Sequence, residues 1–260
     1  MTKILGKSIA TAEQMSQYLL SVNKSPKFSR DISAKEFCQL FLDVCAKEGV
    51  RGDIAFAQSC KETGHFSYGG DVNYMQNNFA GIGATGGVPG CIFSSIEEGI
   101  LAQAQHLKTY ATKAALNEPC VDPRRTAWFV NTKGGTSENW ETLGGTWAVP
   151  GYNTKKYSSL EAANKAKDSY GYQIVQIYEK IVAIKVTEKK YHRVQVGSFS
   201  LRKNAEALQL KLKNDGYNAI IKKYGLLNRV QVGAFSKKEN ANALMTELKA
   251  KGYSAFVTYC

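Results

Sequence analysis

Glu62 is the side chain in this sequence whose position most clearly suits acid–base chemistry. It lies in "SCKETGHFSYGG", residues 59–70, in the last turn of a predicted helix that Gly64 ends. The carbonyl end of a helix carries partial negative charge, which disfavours a carboxylate and favours the protonated acid. A glutamate that keeps its proton near neutral pH can act as a general acid.

A second acid that could work with Glu62 is harder to find. Asp71 is the nearest one that follows it, and the glycine-rich segment "NNFAGIGATGGVPG", residues 77–90, contains none. Glu97 and Glu98 come next, and their place after two serines is typical of charges in the first turn of a helix. Asp71 is therefore the candidate partner within the chain.

The cysteines and histidines show no spacing that is typical of metal ligands. The six cysteines form no CxxC pair, and Cys38, Cys45 and Cys60 fall on apolar helical stretches, which predicts buried free thiols. His106 lies mid-helix and is predicted to be a packed or solvated side chain. Residues 77–90 lack the GKS or GKT of a phosphate loop and the dinucleotide pattern. We expect neither a metal nor a cofactor.

Helices must position these groups. Residues 33–50 have an amphipathic pattern, with Ser33 and Glu36 as a capping box, and the helix that carries Glu62 is predicted to start at Asp53 as its N-cap. A third helix spans 94–114, capped by Ser94 or Ser95, and more helix follows residue 159. Gln58 falls on the same face as Glu62, which predicts that it lines a cleft wall.

The C-terminal part contains an internal repeat. "RVQVGSFSLRKNAEALQLKLKNDGYNAIIKK" begins at residue 193, and "RVQVGAFSKKENANALMTELKAKGYSAFVTY" begins at residue 229. Each copy has a strand pattern of period two, then a helix pattern, then a second strand. Two such units predict a four-stranded antiparallel sheet with two helices on one face. The other face then carries Arg193, Gln195, Arg229 and Gln231.

The net charge of +12 is concentrated in the same region. Residues 186–260 contain 14 lysines and arginines against five aspartates and glutamates. This balance indicates a polyanionic partner, which can be nucleic acid, an anionic membrane face or a bacterial wall with its acidic polymers.

Residues 189–260 resemble the SPOR domain family, through the duplicated "VQVGSF" and "VQVGAF" and the helices that follow them. The resemblance implies binding of peptidoglycan glycan strands that lack stem peptides, on the open sheet face. Many members carry an aromatic residue where this chain has Leu227, and the nearby Tyr224 is the candidate replacement. RNA readers with a similar sheet carry strand aromatics that are missing here, so we expect no nucleic acid partner. The glycan-binding residues predicted in this way are Gln195, Ser198, Tyr224, Leu227, Arg229 and Gln231.

Most of residues 33–180 resemble the glucosaminidases of glycoside hydrolase family 73, which belong to the lysozyme-like group. The motifs that carry the resemblance are "AFAQSCKETGHF", "QNNFAGIGATG", "SSIEEGILAQAQHLKTY" and "LGGTWAVPGY". The resemblance implies cleavage after N-acetylglucosamine in the peptidoglycan backbone, with Glu62 as general acid. The predicted substrate-binding residues are Gln58, Asn78, Phe79, Trp147 and Tyr152.

The second catalytic group remains open between two alternatives. Many family members carry another acid after the motif that contains Asn78, and this chain has none there. We therefore favour attack on the anomeric carbon by the N-acetyl oxygen of the substrate, an exception to the two-carboxylate rule, with Asp71 as the alternative. A muramidase or a lytic transglycosylase on the same scaffold, and a wall-binding protein without catalysis, are the rival functions.

The predicted fold class is α+β. It comprises a mainly α, lysozyme-like catalytic domain over residues 1–185 and a βαββαβ SPOR domain over 189–260. Residues 182–190, "VAIKVTEKK", are predicted to be a helix end followed by a charged linker. The N-terminus has no continuous apolar run that would predict a secretory signal or membrane insertion. We expect a monomeric phage-type endolysin that stays in the host cytoplasm until lysis, with a spore-associated or non-classically released bacterial autolysin as the alternative.

Overall fold

The computed structural model describes residues 1–186 and 190–260. The chain divides into two units, Met1–Val186 and Thr187–Cys260. The predicted linker falls partly on residues 187–189, which lie outside the described residues.

The first unit is mainly helical, and its only paired strands among the described residues form a short hairpin. The helices are α1 (Ala12–Val22), α2 (Ala34–Lys47), α3 (Gly52–Glu62), α4 (Ile96–Ala111), α5 (Ala127–Lys133), α6 (Leu160–Lys165) and α7 (Tyr170–Val182). Two 3₁₀ turns span Tyr74–Gln76 and Trp140–Leu143. The hairpin joins β1 (Ala84–Thr85) to β2 (Val88–Pro89).

Two of the three predicted N-cap assignments are confirmed. Ser33 and Glu36 form the predicted capping box of α2, and Ser95 accepts the backbone N–H of Glu98 at the start of α4. The prediction that Asp53 caps α3 is wrong, because the helix begins at Gly52.

Asp53 has a different role because its side chain is fully buried. Its carboxylate pairs with Arg51 at 3.0 Å and accepts the backbone N–H groups of Ile9 and Ala10 at 2.7 and 3.1 Å. A buried carboxylate requires such partners, since an unpaired one would lose its hydration without compensation. Asp53 therefore ties the N-terminal segment to the start of α3, the helix that carries Glu62.

The core of this unit packs α2 and α3 against α1, α4 and α7. Phenylalanine rings from α2, α3 and neighbouring loops form a cluster within it. Gly99 on α4 allows close approach of the loop that follows the first 3₁₀ turn. A Cβ atom at this position would lie 1.8 Å from the carbonyl oxygen of Asn77. This contact holds the loop that begins at Asn77 against α4.

The second unit has the predicted βαββαβ order. Its elements are β3 (His192–Phe199), α8 (Arg202–Asn214), β4 (Ile220–Tyr224), β5 (Leu227–Phe235), α9 (Lys238–Ala250) and β6 (Phe256–Tyr259). The strands pair antiparallel in the order β4-β5-β3-β6. Both helices pack on the face that carries Val194, Val196 and Val230, which confirms the predicted sheet with two helices on one face.

Each repeat also contains an irregularity that period-two alternation does not predict. The register between β3 and β5 shifts around Gln195, so that Val196 and Val232 have no direct partner. The residue after each bulged valine is a glycine, because a side chain there would collide with the helix that covers the sheet. A Cβ atom on Gly197 would lie 2.7 Å from the side chain of Leu208 on α8.

The six cysteines are all free. Cys38, Cys45 and Cys60 are buried, as predicted, and burial raises the pKa of each thiol well above its usual value. Cys120 and Cys260 are exposed instead.

Candidate functional site

Glu62 is the last residue of α3, and a tight turn directly follows it. Gly64 has a φ of +57°, and the N–H of His65 donates to the carbonyl of Cys60 at 2.7 Å, which closes the helix in the predicted way. His65, Phe66 and Tyr68 also have positive φ, between 56° and 60°. Non-glycine residues rarely adopt this conformation, and such strain concentrates at functional sites.

The Glu62 side chain lines a cavity of about 350 Å³. Tyr68 and Asp71 come from the strained turn and the loop after it, and Asn78 and Gly81 come from the glycine-rich segment. Glu62 Oε2 lies 3.7 Å from the position that a Cβ atom on Gly81 would occupy, so the glycine-rich segment is in van der Waals range of the acid. The predicted pair Glu62 and Asp71 thus lies in one cavity.

The protonation of Glu62 is shifted in the direction that an acid requires. By surface area Glu62 is an exposed residue that opens to the cavity, while the protein atoms packed on the other sides of its carboxyl group reduce the access of bulk water to it. This burial raises the pKa of Glu62 above its usual range. A hydrogen bond from Tyr170 and the positive charge of Lys61 lower the pKa, but the net shift is upward.

A chain of buried hydrogen bonds holds Glu62 from behind. The hydroxyl of Tyr170 donates to Glu62 Oε1 and accepts from Gln58 Nε2 at 2.9 Å. Gln103 Nε2 donates in turn to Gln58 Oε1 at 2.8 Å, and Ser59 Oγ donates to Gln103 Oε1 at 3.0 Å. Every member of this chain has a partner, so the carboxyl group is fixed by α4 and α7 as well as by its own helix.

Gln58 is therefore not a cleft-wall residue. It lies on the same helical face as Glu62, as predicted, but α4 and Tyr170 cover it completely and both ends of its amide are bonded within the protein. The burial corrects the expectation that Gln58 contacts substrate directly. It positions Tyr170 instead.

The two neighbouring loop residues also differ from expectation. Asn78 lines the cavity, yet its side chain accepts the N–H of Ile82 and donates to the carbonyls of Ile82 and Cys91, so that it braces the loop. Phe79, predicted to bind substrate, is buried in the core. Its ring packs edge-on against Phe37 at 5.4 Å, and no face of it is left for a ligand.

A second cavity of about 470 Å³ shares Gly81 and Ala84 with the first. Trp147 lines it, half-buried against His106 at a ring separation of 4.8 Å. The predicted mid-helix His106 is indeed packed, and its Nδ1 is 2.6 Å from Asp122 Oδ2. Tyr152 lines neither of these two cavities.

Two tyrosines were not predicted, one that holds Glu62 from behind and one that lines its cavity. Tyr170 lies 108 residues from Glu62 in the chain, in a helix whose pattern indicates only core packing. Tyr68 has a hydroxyl without a hydrogen-bond partner among the described residues, at the wall of the Glu62 cavity. The only sequence signal for Tyr68 is its place between Glu62 and Asp71.

The open face of the second unit brings the predicted residues together. Strand pairing aligns Ile220, Gln231, Gln195 and Phe256 in one row across the sheet. The adjacent row contains Lys222, Arg229 and Ser198. The central glutamines are mostly buried among their neighbours, whereas Ser198 and Lys222 are exposed.

Tyr224 contributes an aromatic ring to this face, as suggested for the position beside Leu227, and Phe256 contributes a second one. Tyr224 and Leu227 are paired across the turn between β4 and β5, and both are partly exposed. The guanidinium carbon of Arg229 lies 4.5 Å from the Tyr224 ring centroid. A shallow depression on this face is lined by Arg193, Tyr224 and Arg229, among others. The Nε of Arg193 is buried without a partner among the described residues.

Within residues 1–186 and 190–260, no three histidine, cysteine or acidic side chains cluster closely enough to hold a metal ion. No helix in those same ranges combines the length and the apolar character needed to span a bilayer.

Comparison with known proteins gives three matches. Residues 188–259 match the model of the SPOR domain family. The chain is 36% identical over 149 residues to a Borreliella burgdorferi protein that bears the name "Uncharacterized protein", and the match covers 57% of this chain and 70% of that one. It also matches the solution structure of the peptidoglycan binding domain of the B. subtilis cell wall lytic enzyme CwlC, at 32% identity and a TM-score of 0.27, over 30% of this chain and 98% of that one. The chain thus carries a C-terminal SPOR domain and belongs to the same family as the Borreliella burgdorferi protein.

Proposed function

We propose that this protein is a peptidoglycan hydrolase whose first unit is a lysozyme-like endo-β-N-acetylglucosaminidase. The SPOR domain indicates peptidoglycan binding. One observation carries the catalytic part of the proposal. Glu62 lies in an open cavity with its pKa raised by burial and its carboxyl group held by Tyr170.

In the proposed reaction, Glu62 donates its proton to the glycosidic oxygen as the bond to the anomeric carbon breaks. The carbonyl oxygen of the substrate's own N-acetyl group attacks that carbon and forms a cyclic cationic intermediate. A water molecule, deprotonated by the Glu62 carboxylate, then opens this intermediate and restores the acid.

Asp71 remains the alternative group opposite Glu62. It is exposed in the same cavity, and its Oδ2 accepts the N–H of Gly87 at 3.1 Å. This bond holds Asp71 at the turn of the β1–β2 hairpin. Tethering by the SPOR domain raises the local concentration of glycan near the cleft, as any linked binding module does.

The test of the proposal is the analysis of new reducing ends after the full chain digests purified peptidoglycan. The proposed activity yields N-acetylglucosamine ends. Muramic acid ends would indicate a muramidase, and anhydro-muramic ends would indicate a lytic transglycosylase. Binding without any new ends would leave a wall-binding protein as the function. The endolysin context stays a prediction.

Tyr170→Phe is expected to move the pH–rate profile. The hydroxyl of Tyr170 stabilises the carboxylate form and lowers the pKa of Glu62, so its removal raises that pKa further. A general acid works only while protonated, and activity falls as the pH rises through its pKa. The alkaline limb should therefore shift to higher pH, while kcat falls about tenfold because the carboxyl group loses its positioning bond.

The matched control is Tyr172→Phe, on the same helix and half-buried, which should leave the profile in place. If Tyr170→Phe lowers kcat without moving the alkaline limb, Tyr170 does not act through the protonation of Glu62.

A further inference from the structure

The second cavity contains polar groups that the proposed chemistry at Glu62 does not use. Aromatic side chains form much of its wall, and the exposed Trp128 stands at its edge. His106 and Arg124 are its basic residues. Because the cavity shares Gly81 and Ala84 with the Glu62 cavity, a glycan strand in one can continue into the other.

His106 is held in a fixed orientation. Its Nδ1 is bonded to Asp122 Oδ2 at 2.6 Å, and its ring stacks on Phe129 at 4.5 Å. Asp122 is buried, and its other carboxylate oxygen accepts the backbone N–H of Arg124 at 2.9 Å. Nε2 of His106 has no hydrogen-bond partner among the described residues, and the ring lines the cavity. A buried acid thus orients an imidazole whose second nitrogen is left for a ligand.

Arg124 supplies the positive charge. It is exposed, and its guanidinium forms no ion pair with any residue that the structure describes. No aspartate or glutamate from the described part of the chain lines the cavity. An arginine fork with two N–H groups in one plane is suited to a carboxylate. The cavity therefore fits a ligand with an apolar ring face and one carboxylate.

We propose that this cavity is the subsite for N-acetylmuramic acid, that Arg124 binds the free carboxylate on its lactyl ether, and that Nε2 of His106 accepts a hydrogen bond from a hydroxyl or amide N–H of the sugar. The proposal rests on the proposed function, in which the substrate alternates N-acetylglucosamine with N-acetylmuramic acid. The two sugars differ only by the lactyl ether, so a site with a cation distinguishes them by charge. In an intact wall this carboxyl group is the amide of the stem peptide. A reaction that hydrolyses that amide must therefore precede efficient binding here.

Tryptophan fluorescence can measure binding at this cavity in the full chain. The sequence contains three tryptophans, all in the first unit, so the SPOR domain contributes no signal. Trp128 and Trp147 line the cavity, whereas Trp140 is fully buried. The Glu62→Gln variant is used so that no probe is cleaved. Three probes are compared. They are the disaccharide N-acetylglucosaminyl-N-acetylmuramic acid, N,N′-diacetylchitobiose, and the first disaccharide with its lactyl carboxyl group coupled to alaninamide, which carries no carboxylate.

The free-acid disaccharide is expected to bind about tenfold more tightly than either of the other two probes. Arg124→Gln should remove this preference and leave the affinity for chitobiose unchanged. Arg125→Gln is the matched control, because Arg125 donates from Nε to Thr109 Oγ1 and does not line the cavity. Arg125→Gln should therefore leave the preference for the free-acid disaccharide unchanged.

Equal affinity for the free acid and chitobiose, or a preference that survives Arg124→Gln, would overturn the proposal, as would equal binding of the amide. These outcomes are independent of catalysis. A preference for the free acid in a chain that releases no reducing ends would instead contradict the proposed hydrolase while the subsite stands.

Discussion

Glu62→Gln is expected to reduce glycan cleavage by about 10²- to 10⁴-fold, the range that a general acid typically contributes. Glutamine keeps the size of the side chain and can still meet the hydroxyl of Tyr170, but it has no proton to give to the glycosidic oxygen. The variant should fold, because the charge of Glu62 is not needed for α3, for its closing turn or for the hydrogen bonds behind the side chain. Release of reducing ends from purified peptidoglycan measures the loss.

The control for this substitution is Glu97→Gln. Glu97 pairs with Arg30 at 2.7 Å on the surface and lines neither cavity near Glu62, so its loss should leave activity unchanged. Co-sedimentation with peptidoglycan should be retained in Glu62→Gln. Undiminished cleavage in Glu62→Gln would contradict the prediction that Glu62 is the general acid. The SPOR domain would then support only a wall-binding function.

Asp71→Asn in the same assay decides what acts opposite Glu62. If the substrate's N-acetyl group is the nucleophile, the variant should lose much less activity than Glu62→Gln. A loss as large as that of Glu62→Gln would make Asp71 the second catalytic carboxylate.

The residues around Glu62 show how far the sequence predicts this site. Gly64 marks the end of α3, so the position of Glu62 at the helix terminus follows from local rules. Asp71 reaches the same cavity because the turn between them is short. Tyr170 was not predicted because its contact with Glu62 depends on how α7 packs against α3, which no local pattern encodes.

The two corrected residues have a common physical cause. Gln58 is on the predicted face of α3, and Phe79 is in the predicted loop, but periodicity gives direction along one element only. Whether that direction leads to a cavity or to a neighbouring helix depends on tertiary packing. At Gln58 the neighbour is Gln103, and at Phe79 it is the ring of Phe37.

The second unit was more predictable because most of its information is local. Alternation in "RVQV" assigns Val194 and Gln195 to opposite faces, and the repeat requires the same of the second copy. The bulges at Val196 and Val232 were not predicted, although the glycines that follow them are conspicuous in the sequence.

Arg229→Ala is expected to weaken binding of the chain to peptidoglycan that lacks stem peptides by roughly 10- to 100-fold. Arg229 lies on the open sheet face, in the row with Ser198 and Lys222, and its guanidinium is held over the ring of Tyr224. Hydrogen bonds from this group to a muramic carboxylate are charge-assisted, and alanine removes them together with the cation–π contact. Co-sedimentation of the Glu62→Gln chain with the denuded glycan measures the change without digestion.

Lys223→Ala separates specific recognition from general attraction to a polyanion. Lys222 and Lys223 are adjacent and exposed on β4, and successive side chains of a strand point to opposite faces. Lys223 pairs with Asn228 and Lys222 with Arg229, so that only Lys222 shares the open face with Arg229. Binding should therefore survive Lys223→Ala. If Lys223→Ala weakens binding as much as Arg229→Ala does, the chain is held by its net positive charge, and the open face is not a glycan-binding site.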